Sequence, residues 1–220
     1  MKNRGGLVTQ VYQEAEKHRL QILYTQIDRD EENRPSFTSY EFRVDENEYF
    51  YPASTVKFPA AVLALEKLYQ LKIEGLDRNT SLQIDSSYMG QSSVLSDSTA
   101  EGYQASIGHY IKKIMLVSDN DAFNRLYEFL GQEVLNQELW KREMPTTKIS
   151  HRLSIALSED ENRHTNPFFF FRDTDTIYQQ GPANSQLSFP ELSPILLGKG
   201  EMQAGKLVEG PKDFTIKNNF

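Results

Sequence analysis

Ser54 and Lys57 stand three residues apart in Tyr51-Pro52-Ala53-Ser54-Thr55-Val56-Lys57-Phe58-Pro59-Ala60-Ala61, at the start of an apolar, helix-forming run. On a helix, residues at that spacing share one face, which brings an amine within reach of a hydroxyl. A neutral amine can take the serine proton, and a charged one supports the developing alkoxide. Val56, Phe58 and Tyr51 would desolvate Lys57 and favour its neutral form. A serine at a helix start also lies near free backbone amides and the positive end of the helix dipole, which can stabilise an oxyanion. Ser118-Asp119-Asn120 follows 64 residues after Ser54. Its functional reading has Ser118 relaying a proton to the leaving group, Asn120 binding a substrate amide or fixing Lys57, and Asp119 bonding the turn. Taken singly, each motif also reads as ordinary capping: an N-cap serine before a surface lysine, and an N-cap cluster opening a helix. Together, in order and each at a predicted helix start, they point to an acyl-transferring serine enzyme.

These residues need helices with well-placed starts. The longest predicted helix covers residues 54 to 73, apolar on more than one side and therefore buried. Pro59 is tolerable only near a helix start, which places Ser54 at or next to the N-cap. Further helices are predicted over 7 to 19, 102 to 117, 121 to 130 and 132 to 142, and short ones over 191 to 197 and 199 to 209. Residues 20 to 27 and 36 to 44 read as a hairpin around a polar turn with Asn33 and Pro35. Residues 81 to 98 are polar and turn-rich. Residues 144 to 190, with four prolines and the run Phe168-Phe169-Phe170-Phe171, read as irregular. Phe214-Thr215-Ile216-Lys217 reads as the start of a strand. Two strands make no stable sheet alone, so the remaining strands are expected beyond this sequence or from a partner.

The bulk composition sets bounds. With 220 residues, 38% hydrophobic and 25% charged, the chain is of ordinary globular type. Its formal charge of -7 and dispersed basic residues give no nucleic-acid footprint. The absence of cysteine removes thiol nucleophiles and disulfides and leaves the compartment open. No apolar run approaches the roughly 18 residues of a membrane span, and no signal-peptide core follows the first residues. His18, His109, His151 and His164 show no metal-ligand spacing, so neither a metal nor a cofactor is expected.

Ser54-Thr55-Val56-Lys57 followed by Ser118-Asp119-Asn120 resembles class A beta-lactamases and penicillin-binding proteins. The likeness covers most of the chain: N-terminal helix, strand hairpin, nucleophile helix, helical middle. It implies an α/β lobe joined to an all-α lobe, with an antiparallel sheet flanked by helices and incomplete at the C-terminal end. The lobes would divide at residues 1–50, 51–198 and 199–220. It implies a Ser54 acyl-enzyme formed on a beta-lactam or a D-Ala-D-Ala-type substrate, acting outside the cytoplasmic membrane; a monomer is expected unless a partner supplies the missing strands. Tyr88 is placed like the aromatic residue lining the family's substrate cleft, and Arg163-His164-Thr165-Asn166-Pro167 resembles the end of its omega-shaped loop.

Two departures bear on activity. Efficient class A enzymes use a loop glutamate, followed four residues later by asparagine, to activate the deacylating water. Here Glu159 stands three residues before Asn162 and Glu161 stands beside it, so Glu159 is a candidate base and an acidic turn is the alternative. The family's Lys-Thr-Gly motif is also missing. Lys217, 99 residues after Ser118, stands where its lysine is expected, but in Lys217-Asn218-Asn219. The competing readings are a slowly deacylating penicillin-binding, DD-peptidase-like or esterase enzyme, and an inactive scaffold or binding protein.

Overall fold

The computed structural model describes residues 6–45, 47–189, 192–203 and 206–218, with little of the side chains in the last two stretches. The chain divides into two compact units, Met1–Tyr51 and Pro52–Phe220.

The first unit is a helix and a hairpin. α1 (Leu7–Gln13) is shorter than its predicted span, and turns fill residues 14–19. β1 (Ile22–Arg29) and β2 (Pro35–Phe42) pair antiparallel, Ile22 opposite Phe42 and Arg29 opposite Pro35. Tyr24 and Tyr40, opposite each other, stack with centroids 6.0 Å apart, the kind of cross-strand pair that fixes register. Tyr12 of α1 stacks on Phe42 at 5.0 Å.

The second unit is built on helices. A 3-10 turn (Ala53–Val56) runs into α2 (Lys57–Leu71). Pro59 is the third residue of α2, where an amide has no intrahelical partner to lose, so the ring is accommodated. α3 (Ile107–Val117) starts later than the sequence suggests, because Gly102 (φ 64°) breaks the approach and Ser106 caps the helix through the His109 amide. α4 (Asn120–Leu130) is buried from Ala122 to Leu130, and α5 (Gln132–Trp140) follows across Gly131, whose φ of 83° only glycine adopts without strain. Ala60, Ala64 and Leu68 of α2, Tyr110 of α3, Phe123 and Tyr127 of α4 and Leu135 of α5 form one continuous core.

Three stretches differ from their sequence reading. β3 (Ser81–Ile84) lies within the segment read as turns; its Leu82 and Ile84 alternate inward. β4 (Phe168–Arg172) and β5 (Asp175–Gln180) lie in the segment read as irregular, and the three pair antiparallel in the order β3-β4-β5. Four consecutive phenylalanines conceal the period-two pattern, yet only Phe168 and Phe170 are fully buried. The helices expected over 191 to 197 and 199 to 209 are instead β6 (Leu192–Gln203) and β7 (Lys206–Asn218), an antiparallel hairpin. The register shifts around Pro194, Gly198 and Gly200 fall where a missing donor or a missing side chain suits a bulge better than a helix. The Phe214 to Lys217 strand falls within β7.

A glutamate, a buried arginine and several asparagines hold the long segment between α5 and β4. A short helix, α6 (Glu159–Arg163), opens with a capping box in which Ser158 accepts from the Glu161 amide and Glu161 accepts from the Ser158 amide. Arg152 is buried and donates to Glu128 of α4 at 2.9 Å and to the His164 carbonyl at 2.7 Å. Asn136 of α5 pairs with both the amide and the carbonyl of Ile149, and Asn124 of α4 pairs with both groups of Leu153, all at 2.7–3.0 Å. Each side-chain amide takes the place of a neighbouring strand, so an irregular backbone satisfies its buried polar groups without a sheet.

Candidate active site

α2, α3 and α4 bring four of the sequence's candidate residues to one point. Ser54 sits in the 3-10 turn ahead of α2, and Lys57 is the first residue of α2 proper. Ser118 ends α3 in the left-handed conformation (φ 53°, ψ 42°), Asp119 is the N-cap of α4, and Asn120 is its first residue. Ser118 and Asp119 alone separate the two helices, and the left-handed turn points both Ser118 oxygens at Lys57.

The geometry centres on the lysine. Its Nζ lies 3.2 Å from Ser54 Oγ, 3.0 Å from Ser118 Oγ, 2.5 Å from the Ser118 carbonyl and 2.6 Å from Asn120 Oδ1. Lys57 is only 2% exposed, while Ser54 and Ser118 are open to solvent. Burial pushes the lysine below its ordinary range, and the charge of Asp119 partly opposes this. The two shortest contacts are to carbonyl oxygens, which only accept; the other two are to hydroxyls, which donate or accept. A neutral amine therefore spends its two N–H groups on the Ser118 and Asn120 carbonyls and keeps its lone pair for a hydroxyl proton. The arrangement has the donors and acceptors a general base for Ser54 requires.

Asp119 holds the turn. Its Oδ1 accepts from the Ala122 amide at 2.8 Å, and its Oδ2 lies 3.5 Å from Lys113. Lys113 also faces Asp97, which accepts from Thr99 and pairs with His109 at 3.0 Å. One of the amides at the helix start is already committed, because Thr55 N–H donates to the Pro52 carbonyl at 3.0 Å.

The remaining candidates have other partners. Tyr88 donates to Asp160 at 2.6 Å and stacks on His164 with centroids 3.7 Å apart. Glu159 is largely exposed and pairs with Arg163 of its own helix. Glu161 is committed to Ser158, whose backbone amide holds the carboxylate below its usual range. Among the described residues, none of these hydrogen bonds reaches Ser54, Lys57 or Ser118. Lys217 lies in β7, and its side chain is outside the described residues.

Sequence reasoning missed Ser154, Asn124 and Glu128. Asn120 Nδ2 donates to Ser154 Oγ at 2.6 Å, so Ser154 is the loop side chain bonded to the cluster. Asn124 could have been found by its place one helical turn beyond Asn120, on the same face of α4; Ser154 carried no such signal. Ala53 (φ 46°), Ser118 (φ 53°) and Ser154 (φ 56°) are all left-handed without being glycine. Such a conformation costs a non-glycine residue about 1–2 kcal/mol, and strain of this kind gathers at functional sites.

A cavity of about 40 Å³ lies between α4 and the loop, lined by Gln91, Ser92, Asn124, Arg125, Arg152 and Leu157. It is far below the roughly 300 Å³ a small-molecule site encloses, and neither Ser54, Lys57 nor Ser118 lines it. Among the described residues, no helix is long and apolar enough to cross a membrane.

No curated protein and no solved structure matches the chain. The family model described as "Beta-lactamase enzyme family" (Beta-lactamase2) matches residues 8–196, a span that contains Ser54, Lys57, Ser118 and Asn120. The resemblance first carried by two short motifs thus extends over both units, and the chain belongs to the beta-lactamase enzyme family.

Proposed function

We propose that the protein is a serine hydrolase of class A beta-lactamase type that opens the amide of a beta-lactam through an acyl-enzyme on Ser54. Neutral Lys57 takes the Ser54 proton as Oγ attacks the lactam carbonyl, forming the O–C bond. Collapse of the tetrahedral intermediate breaks the C–N bond. The proton held by Lys57 passes through Ser118 Oγ to the leaving nitrogen. Water then releases the ring-opened acid and restores Ser54. The observation that carries this reading is the placement of Lys57 Nζ within 3.2 Å of both Ser54 Oγ and Ser118 Oγ. Asn120 orients the lysine and offers its amide to the substrate, Tyr88 borders the substrate, and Lys217 meets its carboxylate. As in relatives that meet peptidoglycan and beta-lactams, the site of action is outside the cytoplasmic membrane.

A second reading concerns the last step. Glu159 and Glu161 are the loop carboxylates the sequence offers as bases, and both have partners of their own. Their commitment favours an acyl-enzyme that persists, as in a penicillin-binding or DD-peptidase-like protein. Intact-protein mass followed over time with a penicillin, beside a Ser54→Ala control, separates the two. A transient Ser54-dependent adduct with accumulating hydrolysed penicillin supports the beta-lactamase, and Glu159→Gln then tests the base. A stable adduct supports the slow enzyme. No adduct overturns both.

A further inference from the structure

Asn120 is held at both ends of its amide. Oδ1 accepts from Lys57 Nζ at 2.6 Å, and Nδ2 donates to Ser154 Oγ at 2.6 Å. An asparagine amide has two orientations of nearly equal shape, and its neighbours select between them. Lys57 alone selects weakly. An ammonium requires Oδ1 toward it, but a neutral amine has a lone pair that would accept from Nδ2 equally well. In that flipped orientation the lone pair is consumed and no longer available to the Ser54 hydroxyl. The Ser154 hydroxyl on the far side serves either orientation, but it holds the amide in line with Lys57, where the ammonium state sets Oδ1 toward the lysine.

We infer that Ser154 is a positioning residue for acylation, tethering the Asn120 amide so that its oxygen stays within hydrogen-bond reach of Lys57. The inference rests on the acyl-transfer reading above. Its structural support is independent of that reading. Ser154 adopts φ 56°, a conformation serine seldom takes. It is held there by the adjacent Leu153, whose amide donates to Asn124 Oδ1 at 2.7 Å and whose carbonyl accepts from Asn124 Nδ2 at 3.0 Å. Arg152, one residue earlier, is locked by Glu128. Two residues of α4, one turn apart, therefore grip consecutive loop residues: Asn124 takes the backbone of Leu153, and Asn120 takes the hydroxyl of Ser154. The charged group acting on Lys57 is Asp119, backed by Lys113, Asp97 and His109, and Ser154 adds no charge to that set.

The test compares the full chain with Ser154→Gly and Ser154→Ala. Glycine removes the hydroxyl and suits the left-handed backbone; alanine removes the hydroxyl and keeps the strain. Ser54 acylation by a penicillin is measured across pH, and the Lys57 titration is followed separately by its 13Cε chemical shift. Both variants are expected to acylate about tenfold more slowly at the plateau, the worth of one well-placed hydrogen bond. Their acidic limb and the Lys57 titration should move together to lower pH, because an oriented carbonyl that favoured the ammonium has been released. A Ser154→Gly protein with wild-type rate and limb overturns the inference, as does impairment confined to Ser154→Ala, which would reflect backbone strain alone. If the wild-type protein forms no adduct, acyl transfer fails, and the Lys57 titration alone decides: an unchanged titration in Ser154→Gly overturns the positioning role.

Discussion

Lys57 Nζ donates to the main-chain oxygen of Ser118 at 2.5 Å, tying the start of α2 to the end of α3 across 61 residues of chain. A main-chain acceptor cannot rotate away or give up a proton, so it fixes where the amine sits whatever its charge. Lys57→Met should abolish Ser54 acylation while the fold persists. Lys57→Arg should fare little better, since a guanidinium stays protonated. In the wild type, acylation should rise with pH through the titration of Lys57 and flatten above it. Burial places that limb below the ordinary lysine range. A pH profile of adduct formation by mass spectrometry checks all three.

Ser118 combines a chemical demand with a conformational one. Its φ of 53° favours glycine, and its Oγ lies 3.0 Å from Lys57. Ser118→Gly should therefore be more stable than Ser118→Ala by about 1 kcal/mol. Both should lose acylation to a similar extent, roughly 100-fold for a lost proton relay. Urea denaturation beside single-turnover acylation separates the two contributions.

Asp97 stabilises the turn beneath Lys113. Burial alone would raise its carboxyl, but the Thr99 hydroxyl and amide, with Lys113 and His109, bring it down to about 2. Because the folded value lies below the unfolded one, its contribution is present in full above about pH 4 and is lost as the pH falls toward 2. Asp97→Asn should cost roughly 2 kcal/mol at neutral pH, and the difference should close in strong acid. Stability measured from pH 7 down to about pH 2 shows whether it does.

Glu128 and Arg152 form a buried pair, 3% exposed each, with Arg125 alongside at 3.6 Å. Removing one partner leaves a charge stranded in the core, so Glu128→Leu or Arg152→Met should each cost about 3–5 kcal/mol. The double variant should cost less than the sum, because the Arg152 guanidinium and the Glu128 carboxylate go together and neither strands the other. A urea double-mutant cycle reads this directly.

Ser54, Ser118 and Asn120, which gather around Lys57, were legible with it because each lies at a helix terminus, where capping chemistry and apolar spacing leave a local mark. β3 and β4 were hidden for different reasons. Ser81 to Ile84 holds too few residues to show alternation, and the phenylalanine run is apolar at every position although only alternate rings are buried. The two late helices expected from apolar spacing became β6 and β7, where glycine and proline decided against a helix. Ser154 left no mark at all. It reaches Asn120 through a loop whose path is set by Asn124 and Asn136 gripping peptide groups, and such contacts have no sequence period.

That grip has a consequence for how the protein could change. Asn124 reads only the peptide of Leu153 and is indifferent to the side chain attached to it. It works as a socket for a peptide group with a free N–H, which proline alone would not supply. Position 153 is partly buried and packs against the core, so its side chain answers to that packing while the loop's anchorage rests on the peptide. The scaffold thus divides two tasks between neighbours: the peptide of Leu153 anchors the loop, and the side chain of Ser154 meets Asn120.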